Sequence, residues 1–244
     1  MRYAIYFAAP ADDALMRAGN AWLGRDPYTG ASLPQPHAGG LSADRFADLT
    51  IDPRRYGFHG TLKAPFELKA GTSEEDLVEA CRALSRCIAP FEFAGLQPRA
   101  LGKFLALVPV DEAPELAAFA EVCMRHFEPL RAPLAASDLE RRRKSGLTLT
   151  QDRNLKDWGY PYIFDDFRFH MTLSNKLDHD AEAALLQKAA GQHFSGLTGT
   201  RRSVGHFGLY TESERGALFK VHTIFPLSGS LTPIAALRTT EVST

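Results

Sequence analysis

The sequence predicts an α+β fold in two lobes related by a pseudo-twofold axis. Three observations predict it. A phrase of the form His-x-Thr-Leu occurs twice, as His59-Gly60-Thr61-Leu62 and as His170-Met171-Thr172-Leu173. With 8 His, 15 Thr and 30 Leu in 244 residues, random order would give about 0.06 copies, so two copies are a signal where one would be a weak motif. Each copy lies among aromatic residues in a strand-like stretch, YGFHGTLKAPF and FDDFRFHMTLSNK. Finally, one order of elements, strand–helix–long loop–motif strand–helix–strand, reads over about 1–100 and again over about 101–227. This is a single duplication, not a solenoid, which needs at least three units. The whole chain, 1–244, is then one domain with interleaved lobes, and the duplication would set the two motif strands face to face.

Taken in order, 2–8 (RYAIYFA) is rich in β-formers and reads as a strand. Asp12 or Asp13 caps a helix over about 12–23, with Leu15, Ala18, Trp22 and Leu23 on one stripe. Pro27, Pro34, Pro36, Gly39 and Gly40 make 24–57 mostly loop, with a short helix over 42–50. The first motif strand follows at about 57–62, then a strand-like FEL after Pro65. Ser73 with Glu74, Glu75 and Asp76 opens a helix to about Cys87. Two strands, 91–96 and 103–110, flank a turn containing Pro and Gly. Pro114 starts a helix to about His126. A long irregular stretch, 128–165, precedes the second motif strand at about 166–173. A helix (179–190) and two strands (202–210 and 217–225) close the core, and the tail TPIAALRTTEVST has no evident partner.

Net charge is −1, from 28 basic and 29 acidic residues, so bulk electrostatics announce neither nucleic acid nor membrane. No apolar run approaches the roughly 20 residues of a membrane span, and the first residues lack a signal-peptide core. A cytoplasmic location is the expectation, with no membrane and no obligate protein partner. Cys81, Cys87 and Cys123 are odd in number and lack Cys-x-x-Cys spacing, which points to buried reduced thiols. His206 and His222 fall on neighbouring strands without the Cys or carboxylate pattern of a zinc site, so no metal and no cofactor are expected. Gly-x-Ser-x-Gly and P-loop patterns are absent, which removes serine-hydrolase and NTPase readings.

Strand alternation assigns faces. In the second copy Phe167, Phe169, Met171 and Leu173 point one way, and Arg168, His170, Thr172 and Ser174 the other. In the first, Phe58, Gly60 and Leu62 face the core while Gly57, His59, Thr61 and Lys63 share the polar face. Each motif thus presents an imidazole and a hydroxyl about 7 Å apart along a strand, with Lys63 or Arg168 beside them. Two imidazoles with pKa near neutrality suit opposite proton transfers at a phosphodiester, one as base and one as acid. Hydroxyls and cations suit its non-bridging oxygens. Tyr56, Tyr160 and Tyr162, just upstream of the motifs, either stack on a base or sugar or pack in the core or at the rim. The run Arg141-Arg142-Arg143-Lys144 is either a solvated face or an electrostatic funnel.

Two His-x-Thr motifs about a hundred residues apart, in two similar halves, resemble the 2H phosphoesterase superfamily. That superfamily includes RNA 2′,3′-cyclic phosphodiesterases and bacterial 2′–5′ RNA ligase-like proteins. RRYGFHGTLKAPF and FRFHMTL are similar to a subgroup encoded near bacterial phosphonate-degradation genes, with similarity from RYAIYF to KVHTIFPL. The resemblance implies a bilobal α+β fold, each lobe an antiparallel sheet with helices, whose two sheets line a central active-site cleft. It implies His59 and His170 as the acid/base pair and Thr61 and Thr172 as phosphate binders; the strand faces add Lys63 and Arg168 as candidate substrate contacts, and its place just upstream of the first motif adds Tyr56. It implies a small cyclic phosphate ester as substrate. An RNA end is the alternative substrate, and a non-catalytic module binding a phosphometabolite or RNA is the alternative role.

Overall fold

In this structure, a computed structural model, residues 1–241 are described. The chain opens with β1 (Arg2–Phe7). Helix α1 (Ala14–Leu23) begins where the Asp13 carboxylate accepts the Leu15 and Met16 N–H groups at 2.9 and 3.0 Å, and stops at Gly24 in the left-handed region. Ser42 caps α2 (Ala43–Leu49), which runs into α3 (Ile51–Tyr56), a second helix where the sequence shows only one. Strand β2 (Gly60–Phe66) carries the first motif and continues through Pro65. Ser73 and Asp76 form a capping box for α4 (Glu74–Cys87). There follow β3 (Phe91–Phe93), β4 (Leu96–Leu101), β5 (Phe104–Pro109) and α5 (Pro114–Phe127). Next come α6 (Ala136–Arg143), α7 (Leu149–Trp158), β6 (Met171–Thr172) and α8 (Asp180–His193). The chain then forms β7 (Arg202–Val204), β8 (His206–Glu212), β9 (Lys220–Pro226) and α9 (Pro233–Glu241).

Seven strands form one antiparallel sheet in the order β4-β5-β6-β2-β1-β8-β9, and β3 pairs with β7 in a separate ribbon. Reading outward from the β6/β2 seam, each motif strand is followed by the first strand of its own half, β5 on one side and β1 on the other. Helices α4 and α5 pack against β2, β8 and β9, and α8 against β4 and β5. They close over a single apolar core that includes Phe7, Leu62, Leu107, Phe119, Met171 and Phe207.

Several expectations are corrected. The sequence places the motif strands face to face across two sheets; they lie side by side in one, with Gly60 opposite Met171. Gly60 permits this approach, because a Cβ there would sit 2.5 Å from the Phe169 ring of the other motif. The second motif strand is only Met171–Thr172, not 166–173, because Phe164–Asp166 forms a 3₁₀ turn just before it. Residues 97–101 are not a turn but most of β4, which tolerates Pro98 because it is an edge strand; the turn itself is only Gly102 and Lys103. The irregular stretch 128–165 holds α6 and α7, the latter started by a Thr148/Gln151 capping box. The tail forms α9 on α5, with Ala236 and Leu237 against the core; its last three residues lie outside those described. Of the thiols, Cys81 and Cys123 are buried as expected, while Cys87 is exposed.

Candidate active site

The seam between β2 and β6 brings the two motifs together. An antiparallel register with Gly60 opposite Met171 points His59 toward Thr172 and Thr61 toward His170. The cavities follow this crossed pattern. His59 and Thr172 line one cavity with Tyr56 and Phe104, and Thr61 and His170 line another with Phe104, Tyr160 and Arg168. A third, of about 550 Å³, is lined by His59, Thr61 and Thr172 together with Tyr6, Tyr56, Tyr160 and a group of arginines. Imidazole and hydroxyl from different halves therefore share each side of the seam.

Both imidazoles are held the same way. His59 Nδ1 lies 2.8 Å from the Gly57 carbonyl, and His170 Nδ1 lies 2.7 Å from the Arg168 carbonyl. A carbonyl only accepts, so Nδ1–H donates in each case and Nε2 is left as the working nitrogen. His59 Nε2 accepts from the Thr61 hydroxyl at 3.2 Å. Gly57 has φ 79°, and a Cβ there would come within 2.8 Å of Pro27, so glycine is required for the carbonyl that orients His59. Tyr6 stacks on His59 with ring centroids 3.7 Å apart, and Phe104 lies 5.5 Å from His170.

Burial lowers the pKa of both histidines. That of His59 falls to about 4, with the Gly57 hydrogen bond opposing the fall and the charge of His170 adding to it. That of His170 is also lowered by burial, opposed by its bond to Arg168. Each imidazole feels the cavity rather than bulk water, and at neutral pH both are uncharged in the unliganded protein.

One of the two flanking cations, Lys63, sits differently from its expected place. Lys63 does not share the polar face with His59 and Thr61. The β1–β2 register slips between Tyr6↔Thr61 and Ile5↔Lys63, so a β-bulge turns Lys63 to the helix side of the sheet. There it is 2% exposed, 2.8 Å from Glu128 and 3.3 Å from the Met124 carbonyl. Burial lowers its pKa, and Glu128 opposes that. Glu128 also pairs with Arg131 at 2.6 Å. Lys63→Met therefore strands no buried charge, and we expect it to leave turnover intact while lowering folding stability by about 1–2 kcal/mol in chemical denaturation. Arg168 is exposed at the mouth of the His170 cavity, its guanidinium donating to the Asp165 and Phe167 carbonyls at 2.8 and 2.7 Å.

Tyr56 lies 6.1 Å from His59, under the Arg55 guanidinium at 4.1 Å. Tyr160 lines the cavities, while Tyr162 is 41% exposed at the rim. Of the basic run, Arg141 and Arg142 enter the 550 Å³ cavity, whereas Arg143 pairs with Asp152 at 2.6 Å and Lys144 is exposed. The sequence reading missed Tyr6, Phe104, Arg2, Arg55, Arg215 and the buried Glu212 that pairs with Arg2 and Arg55. A signal existed for Arg55, which sits in the RRYGFHGT stretch; the others depend on strand pairing. Among the described residues no group of three or more His, Cys, Asp or Glu is placed to hold a metal ion. Nor is any helix among them long and apolar enough to cross a membrane.

Comparison with known proteins places the chain in a family. Over 231 residues it is 38% identical to a protein of Janthinobacterium sp. (strain Marseille) named ribose 1,5-bisphosphate phosphokinase PhnN, covering 93% of this chain and 51% of that one. A protein of the same name from Laribacter hongkongensis (strain HLHK9) is 35% identical over 221 residues, covering 91% and 50%. The chain thus spans about half the length of the curated relatives it matches. Among solved structures, TT0787 of Thermus thermophilus aligns with a TM-score of 0.46 at 16% identity, over 95% of this chain and 100% of that one. E. coli LigT complexed with 3′-AMP aligns with a TM-score of 0.39 at 11% identity, over 93% and 98%. A family model described as "Protein of unknown function (DUF1045)" matches residues 61–220, which takes in both His-x-Thr motifs except His59 and Gly60, and the chain belongs to that family.

Proposed function

We propose that this chain is a metal-independent phosphoesterase that opens a cyclic phosphodiester of a small sugar phosphate or nucleotide. The observation that carries the reading is the seam itself: two imidazoles with Nδ1 anchored on carbonyls, each facing the threonine of the other motif. One neutral Nε2 takes a proton from water as the water oxygen bonds to phosphorus. The other Nε2, protonated, gives its proton to the ester oxygen as the P–O bond to the sugar breaks. Thr61 and Thr172 donate to the non-bridging oxygens, and Tyr56 forms a wall for the sugar or base. Phe104 and Tyr6 keep water from the back of the rings.

A small substrate suits the arginines better than an RNA strand does. Two of the four basic residues at 141–144 enter the cavity, and the other two do not continue it as a groove. The relatives' name, a kinase of ribose 1,5-bisphosphate, points to ribose phosphates as the sugar class and to phosphonate catabolism as the setting. The two motif strands with their flanking sheet halves would act as two lobes about this cleft.

The test is turnover of ribose and nucleoside cyclic phosphates in excess chelator, followed by phosphorus NMR. Release of a phosphomonoester is expected; no product from any cyclic ester with folded protein would refute the reading. The pH dependence follows from the depressed pKa values. The acid must be protonated and the base neutral, so kcat/KM peaks between the two free-protein values, which places the optimum below about 6.5. A bound phosphate anion favours imidazolium, so the kcat optimum should lie at higher pH than that of kcat/KM.

A further inference from the structure

His59, Thr61 and Thr172 of the two motifs line the 550 Å³ cavity, a volume typical of small-molecule sites. The same cavity is walled by Arg2, Arg55, Arg141, Arg142 and Arg215, supplied by β1, α3, α6 and the β8–β9 connection. Four of these guanidiniums are held by carboxylates. Glu212, with no exposed side-chain surface, pairs with Arg2 and with Arg55, the latter at 2.7 Å. Asp138 accepts Arg141 at 2.8 Å and both prongs of Arg215 at 2.8 Å each. Glu67, 58% exposed, stands 3.6 Å from Arg215. The wall therefore sets five guanidiniums against three carboxylates, an excess of two positive charges.

Arg142 differs from the other four arginines of the wall. Among the described residues its guanidinium has no carboxylate partner, and its Nε is buried without a hydrogen-bond partner. It rests 5.2 Å from the Tyr160 ring, whose face supplies part of what the charge lacks. A half-buried guanidinium whose Nε has no partner stays under-satisfied unless an anion completes it. The planar fork of arginine matches phosphate oxygens two at a time. The carboxylates behind this wall aim the arginines without neutralising them.

We propose that this wall is a second anion site, which binds a phosphomonoester carried by the same small molecule whose cyclic diester lies at the histidines. The inference rests on the phosphodiesterase reading above for the first site only. The substrate is then a cyclic phosphodiester with an additional dianionic phosphate, and the product is a bisphosphorylated sugar or nucleoside.

The test compares two matched pairs: ribose 1,2-cyclic phosphate with and without a 5-phosphate, and 2′,3′-cyclic AMP with and without a 5′-phosphate. In the wild-type chain kcat/KM should favour the phosphorylated member of at least one pair by about 100-fold. Arg142→Met and Arg215→Met should each reduce that preference about tenfold or more, and Arg142→Lys should restore part of it. A role in folding alone would shift the unfolding midpoint without changing the ratio. Equal kcat/KM within both pairs, or a preference that survives both arginine variants, overturns the second site. If none of the four esters is turned over, the phosphodiesterase reading fails, and calorimetry with ribose 5-phosphate against ribose decides the site. Binding of the phosphorylated sugar that Arg142→Met abolishes would uphold it, and no binding to the wild-type chain would overturn it.

Discussion

His59→Ala and His170→Ala are each expected to lower kcat on a cyclic phosphodiester by about 10²–10⁴-fold. The magnitude follows from the geometry. Each imidazole has its Nδ1–H committed to a backbone carbonyl, so neither can be replaced by the other or by a solvent molecule at the same place. Because one proton is removed and one delivered in the same displacement, the double variant should lose little beyond the worse single variant. Thr61→Val and Thr172→Val remove a hydroxyl but not a proton carrier, so a smaller loss is expected of them. A purely structural histidine pair predicts a different outcome. His59 stacks on Tyr6, and its loss would then appear as a lower unfolding midpoint with kcat unchanged once the protein is folded. Steady-state kinetics and thermal unfolding on the same preparations separate the two.

Glu212→Ala is expected to destabilise the fold by about 3–5 kcal/mol, the range for removing one partner of a buried ion pair. The carboxylate is fully buried between Arg2 and Arg55 and also accepts the Gly216 N–H at 2.9 Å. Arg2 and Arg55 keep 12% and 27% of their side-chain surface exposed, so water recovers part of the loss and the lower end of the range is the better expectation. Glu212→Gln keeps the shape and one acceptor and should cost less than alanine. Urea denaturation of both variants reads the difference. A change under about 0.5 kcal/mol for alanine would mean that the pairing is dispensable.

Which features are legible in the sequence depends on the range of the physics that sets them. Asp13 and Ser73 announce their helices because a cap is satisfied within three residues, and Pro114 announces its own because its fixed φ and missing N–H suit the first helical position. Thr148 and Gln151 form the same kind of box and are equally readable, but the charged stretch around them lacks an apolar stripe to draw attention. Strand alternation assigns His59 and Thr61 to one face, and His170 and Thr172 to one face, and all four line the adjoining cavities, because each pair spans only two residues. The same rule fails at Lys63, two residues further on, where a bulge against β1 adds a residue to one strand only. No local pattern signals that slip. The side-by-side seam depends on Gly60 meeting Phe169, and the Glu212 cluster on residues 210 and 157 positions apart, so both require the fold itself.

In the proposed mechanism both histidines serve one phosphate. The most direct measurement is a proton NMR titration of the imidazole resonances with inorganic phosphate, each assigned from its His→Gln variant. The account predicts that His59 and His170 respond together, with one dissociation constant, and that both pKa values rise toward the ordinary histidine value as the anion binds. A response from only one of them, or two different dissociation constants, would contradict it.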